Sequence, residues 1–101
     1  MQYKNSNRRD DNEPEIRVEF AARGWETWQL PPGSGADMLA FGHGRFEIVE
    51  VKNPAGDGRL TEKERELQRI CRFFGVRYNI ICRTAQVREL TGDVEPEVKG
   101  R

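Results

Sequence analysis

Three charged residues in the middle of the chain have the types and the spacing of a metal-dependent hydrolytic site. Asp37 begins one apolar run, and Glu50 and Lys52 end the next, beyond a Gly-His-Gly turn at residues 42–44. Because side chains alternate along a strand, Glu50 and Lys52 project from the same face. In a hairpin that closes at residues 42–44, Asp37 pairs near position 49 or 50. The pattern therefore predicts that the three charged groups converge at one end of a sheet.

A bound cation would explain why a buried strand carries such charges. Ile48, Val49 and Val51 indicate that the strand is central and buried, and burying an ion is costly unless its charge is compensated. Asp and Glu supply the hard oxygen ligands that suit Mg²⁺ or Mn²⁺. Such a cation polarises a water molecule and a phosphate oxygen, and Lys52 could hold or help deprotonate the attacking water.

The alternative is an ordinary Glu–Lys pair at the end of a surface strand. An E-x-K triplet alone is too common to carry weight. Asp37 in the preceding strand, the glycine-rich approach at residues 31–35 and the helix that follows the second strand favour the catalytic interpretation.

Hydrophobic periodicity and turn residues predict the elements that position these groups. Asn12, Thr61 and Thr84 are the predicted helix N-caps, and Glu64 completes a capping box with Thr61. The order αβββαβα predicts an α/β domain with a central sheet of about four strands and helices on both sides. Helices are predicted over 13–23, 62–74 and 85–90, and strands over 25–30, 37–41, 45–52 and 76–82.

The second helix carries an apolar face that we expect to be buried, formed by Leu67, Ile70, Cys71 and Phe74. Cys71 and Cys82 lie among apolar residues and are predicted to be free core thiols. Two cysteines and one histidine cannot complete a tetrahedral zinc site.

The aromatic and imidazole side chains each have two interpretations. Trp25 and Trp28 could stack on nucleic-acid bases, but tryptophans in a strand favour a core or a subunit interface. His43 could be a general base, but its place at the far end of the hairpin from Asp37 favours a solvated turn residue.

Basic residues cluster around the second helix. Arg65, Arg69 and Arg72 share one helix face, where they could follow a DNA backbone or simply pair with neighbouring glutamates. Arg59 and Lys63 adjoin the glycine-containing loop beside the predicted site, which makes them the better candidates for DNA contacts.

Length and composition limit the classes of protein to which the chain could belong. The chain has 101 residues, with 17 basic and 17 acidic side chains, which fits one domain and argues against a purely electrostatic nucleic-acid binder. No apolar run approaches the roughly 18 residues of a membrane span, and the start has no signal-peptide core. We expect a cytoplasmic protein of a bacterium or phage-infected host, with a flexible arm at 1–12, one domain at 13–90 and a polar tail at 91–101.

The runs that carry the predicted site resemble a VRR-NUC domain, a group within the PD-(D/E)XK, or restriction-endonuclease-like, nuclease superfamily. The similarity covers about residues 13–83. It rests on GSGADMLA at 33–40, EIVEVK at 47–52, GRLTEKE at 58–64 and FFGV at 73–76. It implies a restriction-endonuclease-like αβββαβ core with a mixed central sheet flanked by helices.

The resemblance also implies roles for particular residues. Asp37, Glu50 and the main-chain carbonyl of Val51 would bind Mg²⁺ or Mn²⁺ beside Lys52. A glutamate of the first helix would complete the site, and Glu13 matches slightly better than Glu15 by its distance from Gly24.

Two positions depart from the family pattern. Ala36 stands where a proline often precedes the catalytic Asp, which changes backbone stiffness rather than chemistry. Glu64 stands where the family usually has Gln, and it is either an additional ligand or only a capping residue.

The activity implied is metal-dependent hydrolysis of DNA phosphodiester bonds. Standalone proteins similar to this one can act as homodimers on branched DNA such as four-way junctions, and a two-fold pair of sites would match such a substrate. The alternatives are a flap, single-strand or nicking nuclease, and a catalytically silent nucleic-acid-binding module with a nuclease-like fold.

Overall fold

A four-stranded mixed sheet with three helices makes up the part of the chain that the structure describes, residues 10–92 of a computed structural model. These elements confirm the predicted α/β class and the predicted order αβββαβα. The helices are α1 (Glu13–Ala22), α2 (Glu62–Phe74) and α3 (Thr84–Thr91), and the strands are β1 (Glu26–Gln29), β2 (Met38–Gly42), β3 (Arg45–Val51) and β4 (Tyr78–Ile81). None of the helices within these residues has the length and apolar composition needed to cross a membrane.

The sheet has the spatial order β1-β2-β3-β4. The first three strands are antiparallel neighbours, and β4 lies parallel to β3 after the crossover through α2. The β2–β3 hairpin closes with Gly42 opposite Arg45, so only His43 and Gly44 form the turn. Both turn residues have positive φ angles, 52° and 77°, which a two-residue hairpin of this hand requires.

One face of the sheet holds the hydrophobic core. Alternate residues of β2 and β3, among them Met38 and Val49, pack there against Ile16 and Phe20 of α1 and Val87 of α3. All five side chains are fully buried. Helix α2 lies on the opposite face, where it approaches the chain just before β2. The helices therefore cover both sides of the sheet, as the sequence predicts.

Helix α2 begins and ends as its sequence predicts. Thr61 is the N-cap, and its hydroxyl accepts a hydrogen bond from the Glu64 amide at 3.2 Å while the Glu64 carboxylate accepts one from the Thr61 amide at 2.9 Å. Gly75 closes the helix in the left-handed conformation. The predicted buried face is wrong at its C-terminal end, because Ile70 and Phe74 are 50% and 70% exposed.

Two other local predictions are wrong and one holds only in part. Asn12 occupies the N-cap position of α1 as predicted, but it makes no side-chain capping hydrogen bond; its side-chain amide instead donates to the carbonyls of Lys52 and Cys82, at 3.1 and 2.9 Å. Thr84 is the first residue of α3 rather than its N-cap, which is Arg83. Thr91 is buried inside the last turn of α3 and not part of a frayed tail. Residues 1–9 of the predicted arm and 93–101 of the predicted tail lie outside the described residues.

The cysteines and the aromatic residues differ in how deeply they are buried. Cys71 and Cys82 are both free, as predicted, although Cys82 is only partly buried. Trp25 is a core residue, whereas Trp28 is 66% exposed. His43 is exposed at the hairpin turn, as expected, with its ring 5.5 Å from that of Trp25.

Trp25 fixes the closed end of the hairpin by lying directly over Gly42. A Cβ atom added to Gly42 would lie 2.3 Å from the Trp25 ring, closer than any real contact. The Arg45 guanidinium stacks on the same ring at 5.0 Å from its centroid. Glycine at position 42 is therefore required by packing and not by backbone angles.

We expect Gly42→Ala to lower the free energy of unfolding by about 1–3 kcal/mol, because the methyl group must displace a buried tryptophan. The matched control is Gly56→Ala, where the nearest atom to the new Cβ lies at an ordinary 3.5 Å. Urea unfolding followed by tryptophan fluorescence measures both. Equal stabilities of the two variants would contradict the packing shown here.

A buried carboxylate, Glu47, joins β3 to β4 on the core face of the sheet. Its side chain is 6% exposed and forms ion pairs with Arg45 and Arg77. The Asn79 amide donates to its second oxygen at 3.1 Å. Burial alone would raise the pKa of Glu47, but the hydrogen bonds from Arg77 and Asn79 and the nearby positive charges hold it below its usual value.

Because the pKa of Glu47 is lower in the folded than in the unfolded chain, its contribution to stability is present above the unfolded value of about 4.3 and is lost as the pH falls through the folded value. We therefore expect Glu47→Gln to cost about 1–3 kcal/mol at pH 7 and progressively less in acid. Denaturant titrations at several pH values measure this difference. Glu26→Gln, at an exposed strand position, is the control; a Glu47→Gln deficit that persists undiminished at low pH would contradict the assignment.

Candidate metal centre

The β2–β3 register brings Asp37 and Glu50 together. Met38 pairs with Val49, so the next residues outward, Asp37 and Glu50, lie opposite each other on the face away from the core. The Asp37 amide donates to the Val49 carbonyl at 2.9 Å, which continues the ladder one step beyond β2. The two carboxylates predicted to share a site are therefore cross-strand neighbours.

The backbone at Val51 also faces Asp37. The Val51 amide donates to Asp37 Oδ2 at 2.8 Å. Because the N–H and C=O groups of one strand residue point to the same side, the Val51 carbonyl is directed towards the Asp37 edge as well. Three oxygen-bearing groups, from Asp37, Glu50 and Val51, thus flank the end of β3.

Glu50 is a buried carboxylate with little compensation. It is 3% exposed, and its Oε1 atom has no hydrogen-bond partner among the described residues. Burial, then the negative charge of Asp37 and then the neighbouring Glu64 raise the pKa of Glu50 to about 9, with Lys52 offsetting part of the effect. A carboxylate in this position favours either a proton or a cation beside it.

Lys52 places a positive charge beside Glu50 and Glu64. Its Nζ atom lies 2.9 Å from Glu64 Oε1 and 3.4 Å from Glu50 Oε2. Burial alone would lower its pKa, but Glu64 and Glu50 raise it above the usual value. Lys52 is therefore an ammonium ion at neutral pH, which suits it to hold a ligand by charge and hydrogen bonding.

The backbone of Lys52 is held on both sides. Its amide donates to the Ile81 carbonyl at 3.0 Å, and its carbonyl accepts the hydrogen bond from Asn12 described above. The last residue of β4 and the residue before α1 thus fix the position from which the lysine side chain extends.

Glu64 is both a capping residue and a member of the charged cluster. Besides accepting from the Thr61 amide, its Oε1 atom accepts from Lys52 Nζ. Burial alone would raise its pKa, but these hydrogen bonds hold it below the usual value. The capping role of Glu64 is confirmed, and its role as an additional metal ligand stays a prediction.

Sequence reasoning missed two residues at this site. The Tyr78 hydroxyl donates to the Gly35 carbonyl at 2.5 Å; burial and then the charges of Glu50, Glu64 and Asp37 raise its pKa. Asp10 lies close enough to Lys52 and Glu64 for both to affect its pKa, which burial raises. The parallel register of β4, which places Tyr78 beside Ile48, is not visible in the sequence.

The glutamates of the first helix are placed differently from each other. Glu13 is buried, and its Oε2 atom accepts a hydrogen bond from the Gln29 amide at 2.7 Å. Gln29 pairs with Met38 and shares its face of the sheet, whereas Asp37 and Glu50 lie on the other. Glu15 is exposed. A metal-binding role for Glu13 or Glu15 stays a prediction.

The predicted DNA contacts are exposed and only loosely paired. Arg59 lies 3.7 Å from Asp57, and Lys63 lies 3.7 Å from Glu66, with all four side chains more than half exposed. Exposed pairs of this kind contribute little to stability and exchange readily for other anions. Arg65, Arg69 and Arg72 are also exposed on α2, so this stripe is available to a phosphate backbone.

No protein-family model matches this chain, and comparisons with curated proteins and with solved structures gave no significant match. Within residues 10–92, no group of three or more His, Cys, Asp and Glu side chains is arranged as a complete metal site. The donor set that fits a hard cation is instead mixed, with the Asp37 and Glu50 carboxylates and the Val51 carbonyl.

We expect Glu50→Gln to stabilise the metal-free protein by about 1–2 kcal/mol, a rise of roughly 5–15 °C in Tm for a domain of this size. The reason is that the buried Glu50 carboxyl, with its raised pKa, must take up a proton to avoid a charge beside Asp37 and Glu64, whereas the amide is neutral at no such cost. The same change should abolish the additional stabilisation that Mn²⁺ or Mg²⁺ gives to the wild type.

Thermal melts with and without each cation measure both effects. Glu66→Gln, which makes the same chemical change at an exposed position of α2, should leave the cation response intact. A Glu50→Gln variant that is less stable than the wild type, or that responds to Mn²⁺ as the wild type does, would contradict this account of the site.

Proposed function

We propose that this protein is a Mg²⁺- or Mn²⁺-dependent nuclease that hydrolyses DNA phosphodiester bonds. The observation that carries the proposal is the placement of Asp37 opposite Glu50, with the Val51 backbone directed to the same edge and Lys52 one position beyond. Two carboxylates, a carbonyl and an ammonium group at one strand end match the needs of metal-assisted phosphodiester hydrolysis.

Asp37, Glu50 and the Val51 carbonyl would hold the cation. When bound, the cation supplies Lewis-acid polarisation of a phosphate oxygen and lowers the pKa of a bound water. The hydrogen bond from the Val51 amide orients the Asp37 carboxylate towards the end of β3. The Oε1 atom of Glu50, which has no hydrogen-bond partner within residues 10–92, would supply a further ligand oxygen.

Lys52 would orient the attacking water and stabilise negative charge on the phosphate. Its ammonium lies between Glu50 and Glu64, so a cation on Glu50 would leave Lys52 paired with Glu64 alone. Glu64 therefore acts as a positioning residue, which keeps the lysine beside the reacting groups. Tyr78, whose hydroxyl is fixed on Gly35, limits the space beneath α2.

The rest of the proposal follows from the sequence resemblance. The αβββαβ order and the mixed sheet fit a restriction-endonuclease-like core of the VRR-NUC group. Arg59 and Lys63, beside the loop that joins β3 to α2, would contact DNA phosphates and position the strand without reading its sequence. The preferred arrangement is a homodimer that presents two sites to branched DNA. The alternative is a flap, single-strand or nicking nuclease that uses the same catalytic residues.

A catalytically silent nucleic-acid-binding module is the second candidate. The observation that favours it is the ion pairing of Lys52 with both Glu50 and Glu64, which compensates part of the acidic charge without a metal. In that case Arg59, Lys63 and the arginines of α2 would bind DNA while the carboxylates served only the fold.

The deciding experiment compares wild type and Lys52→Ala on labelled four-way-junction, flap, single-stranded and plain duplex DNA, with Mn²⁺, Mg²⁺ or EDTA. We expect cleavage by the wild type only with a divalent cation, and a rate lower by about 10²–10⁴-fold in the variant. Arg88→Ala, which removes an exposed cation bound to Glu19 on the other face of the sheet, is the control and should cleave normally.

Cleavage in EDTA, or equal rates for wild type and Lys52→Ala, would exclude the proposed mechanism. DNA binding without cleavage of any substrate would establish the binding module instead. Cleavage of the junction alone would identify a resolving enzyme, and preference for a flap or single strand would identify the related activities.

A further inference from the structure

Part of the sheet face that carries the candidate metal centre is not covered by α2. On β1, β2 and β3, the side chains of Trp28, Phe41 and Phe46 project from this face and are 66%, 41% and 54% exposed. The rings of Phe41 and Phe46 lie 5.9 Å apart between their centroids. An uncovered row of aromatic side chains across three strands is unusual for a monomeric protein surface.

The last turns of α2 extend this apolar surface. Ile70, Phe73 and Phe74 are 50%, 80% and 70% exposed, and the two phenylalanine rings pack edge to face at 4.9 Å. Helix α2 runs antiparallel to β3 and β4, which it connects, so its last turn lies at the end of the sheet where β3 begins with Arg45 and Phe46.

The side of α2 that carries Lys63 and Leu67 faces the uncovered strands. A Cβ atom added to Gly35, just before β2, would lie 3.2 Å from the Lys63 carbonyl and 3.1 Å from the Leu67 side chain. Ile70 continues the row that begins with Lys63 and Leu67, because residues three and four positions apart are neighbours on a helix. Helix and sheet therefore present their aromatic residues towards the same open space.

We infer that this aromatic face, formed by Trp28, Phe41, Phe46, Ile70, Phe73 and Phe74, is the surface through which two copies of the chain associate. Large aromatic side chains each bury about 150–250 Å², and five of them at these exposures amount to roughly 600 Å² of apolar area per copy. With Ile70 and the surrounding polar rim, the total approaches the roughly 800 Å² that each partner contributes to a stable interface.

A second copy fits this face better than a nucleic acid. Cores of homodimer interfaces are enriched in aromatic residues and depleted of charge. A phosphate backbone would require basic residues within the surface, but the cross-strand partner of Phe41 is the acidic Glu26. Arg69 lies at the edge of the face, one turn from Phe73. If a two-fold axis passes through the face, each copy buries its aromatic face against the identical face of the other copy.

The inferred interface would come nearest to the candidate metal centre at Trp28, which pairs with Leu39, two residues from Asp37. Phe46 lies four residues from Glu50 along β3, which is about 13 Å at the rise of an extended strand. The inference rests on the proposed function in one respect, because the dimer is the homodimer proposed there. Association and cleavage are measured separately, so either can fail without the other.

Sedimentation velocity of the full chain over about 1–100 µM tests the inference. We expect the wild type to sediment as a dimer of twice 11.7 kDa, and Phe73→Glu and Phe46→Glu each to sediment as monomers with unchanged circular dichroism. Phe73 is 80% exposed, so its substitution should not disturb folding.

Val18→Glu is the matched control. Val18 is an exposed apolar residue, 67% accessible, on α1 at the other side of the sheet, and this variant should remain dimeric. A monomeric wild type throughout the concentration range would overturn the inference. Dimers that persist in both phenylalanine variants, or that dissociate equally in Val18→Glu, would place the interface elsewhere and overturn it as well.

Discussion

The pairing of β2 with β3 is the constraint on which the rest of the structure depends. The two-residue turn at His43 and Gly44 fixes this register, and Trp25 packed over Gly42 holds its closed end. A shift of one residue would move Glu50 to the core face and Val49 away from it, since side chains alternate. The same register places Asp37 opposite Glu50 and its carboxylate against the Val51 amide. Core packing and the candidate metal centre are thus specified together.

The two faces of the sheet serve different purposes. The face towards α1 and α3 is a closed hydrophobic core, in which the charge of Glu47 is compensated by two arginines and an asparagine. The opposite face holds Asp37, Glu50 and Glu64, with the Lys52 ammonium beside Glu50 and Glu64. Acidic charge left partly uncompensated costs stability in the absence of a cation, and such local costs are typical of functional sites. The contrast between Glu47 and Glu50, three residues apart in one strand, supports a functional reason for the second.

Distant parts of the chain hold this site in place. Asn12 ties the start of α1 to the carbonyls that follow β3 and β4, and Tyr78 reaches from β4 to the backbone before β2. Glu64 couples the first turn of α2 to Lys52 through the same carboxylate that caps the helix. Each contact joins elements far apart in sequence, so the charged cluster can form only when the whole sheet and both its coverings are in place.

The sequence alone determined the order of elements, the capping box of α2, the hairpin and the convergence of Asp37, Glu50 and Lys52, because periodicity, turn residues and strand alternation are local. Only the tertiary structure decided the rest. The parallel register of β4 placed Tyr78 at the site, and hydrogen bonds to the carbonyls of Lys52 and Cys82 engage the Asn12 side chain in place of a capping bond. Helical periodicity predicted Ile70 and Phe74 as buried, but α2 covers only part of the sheet, and an apolar stripe cannot reveal whether its partner lies in the same chain.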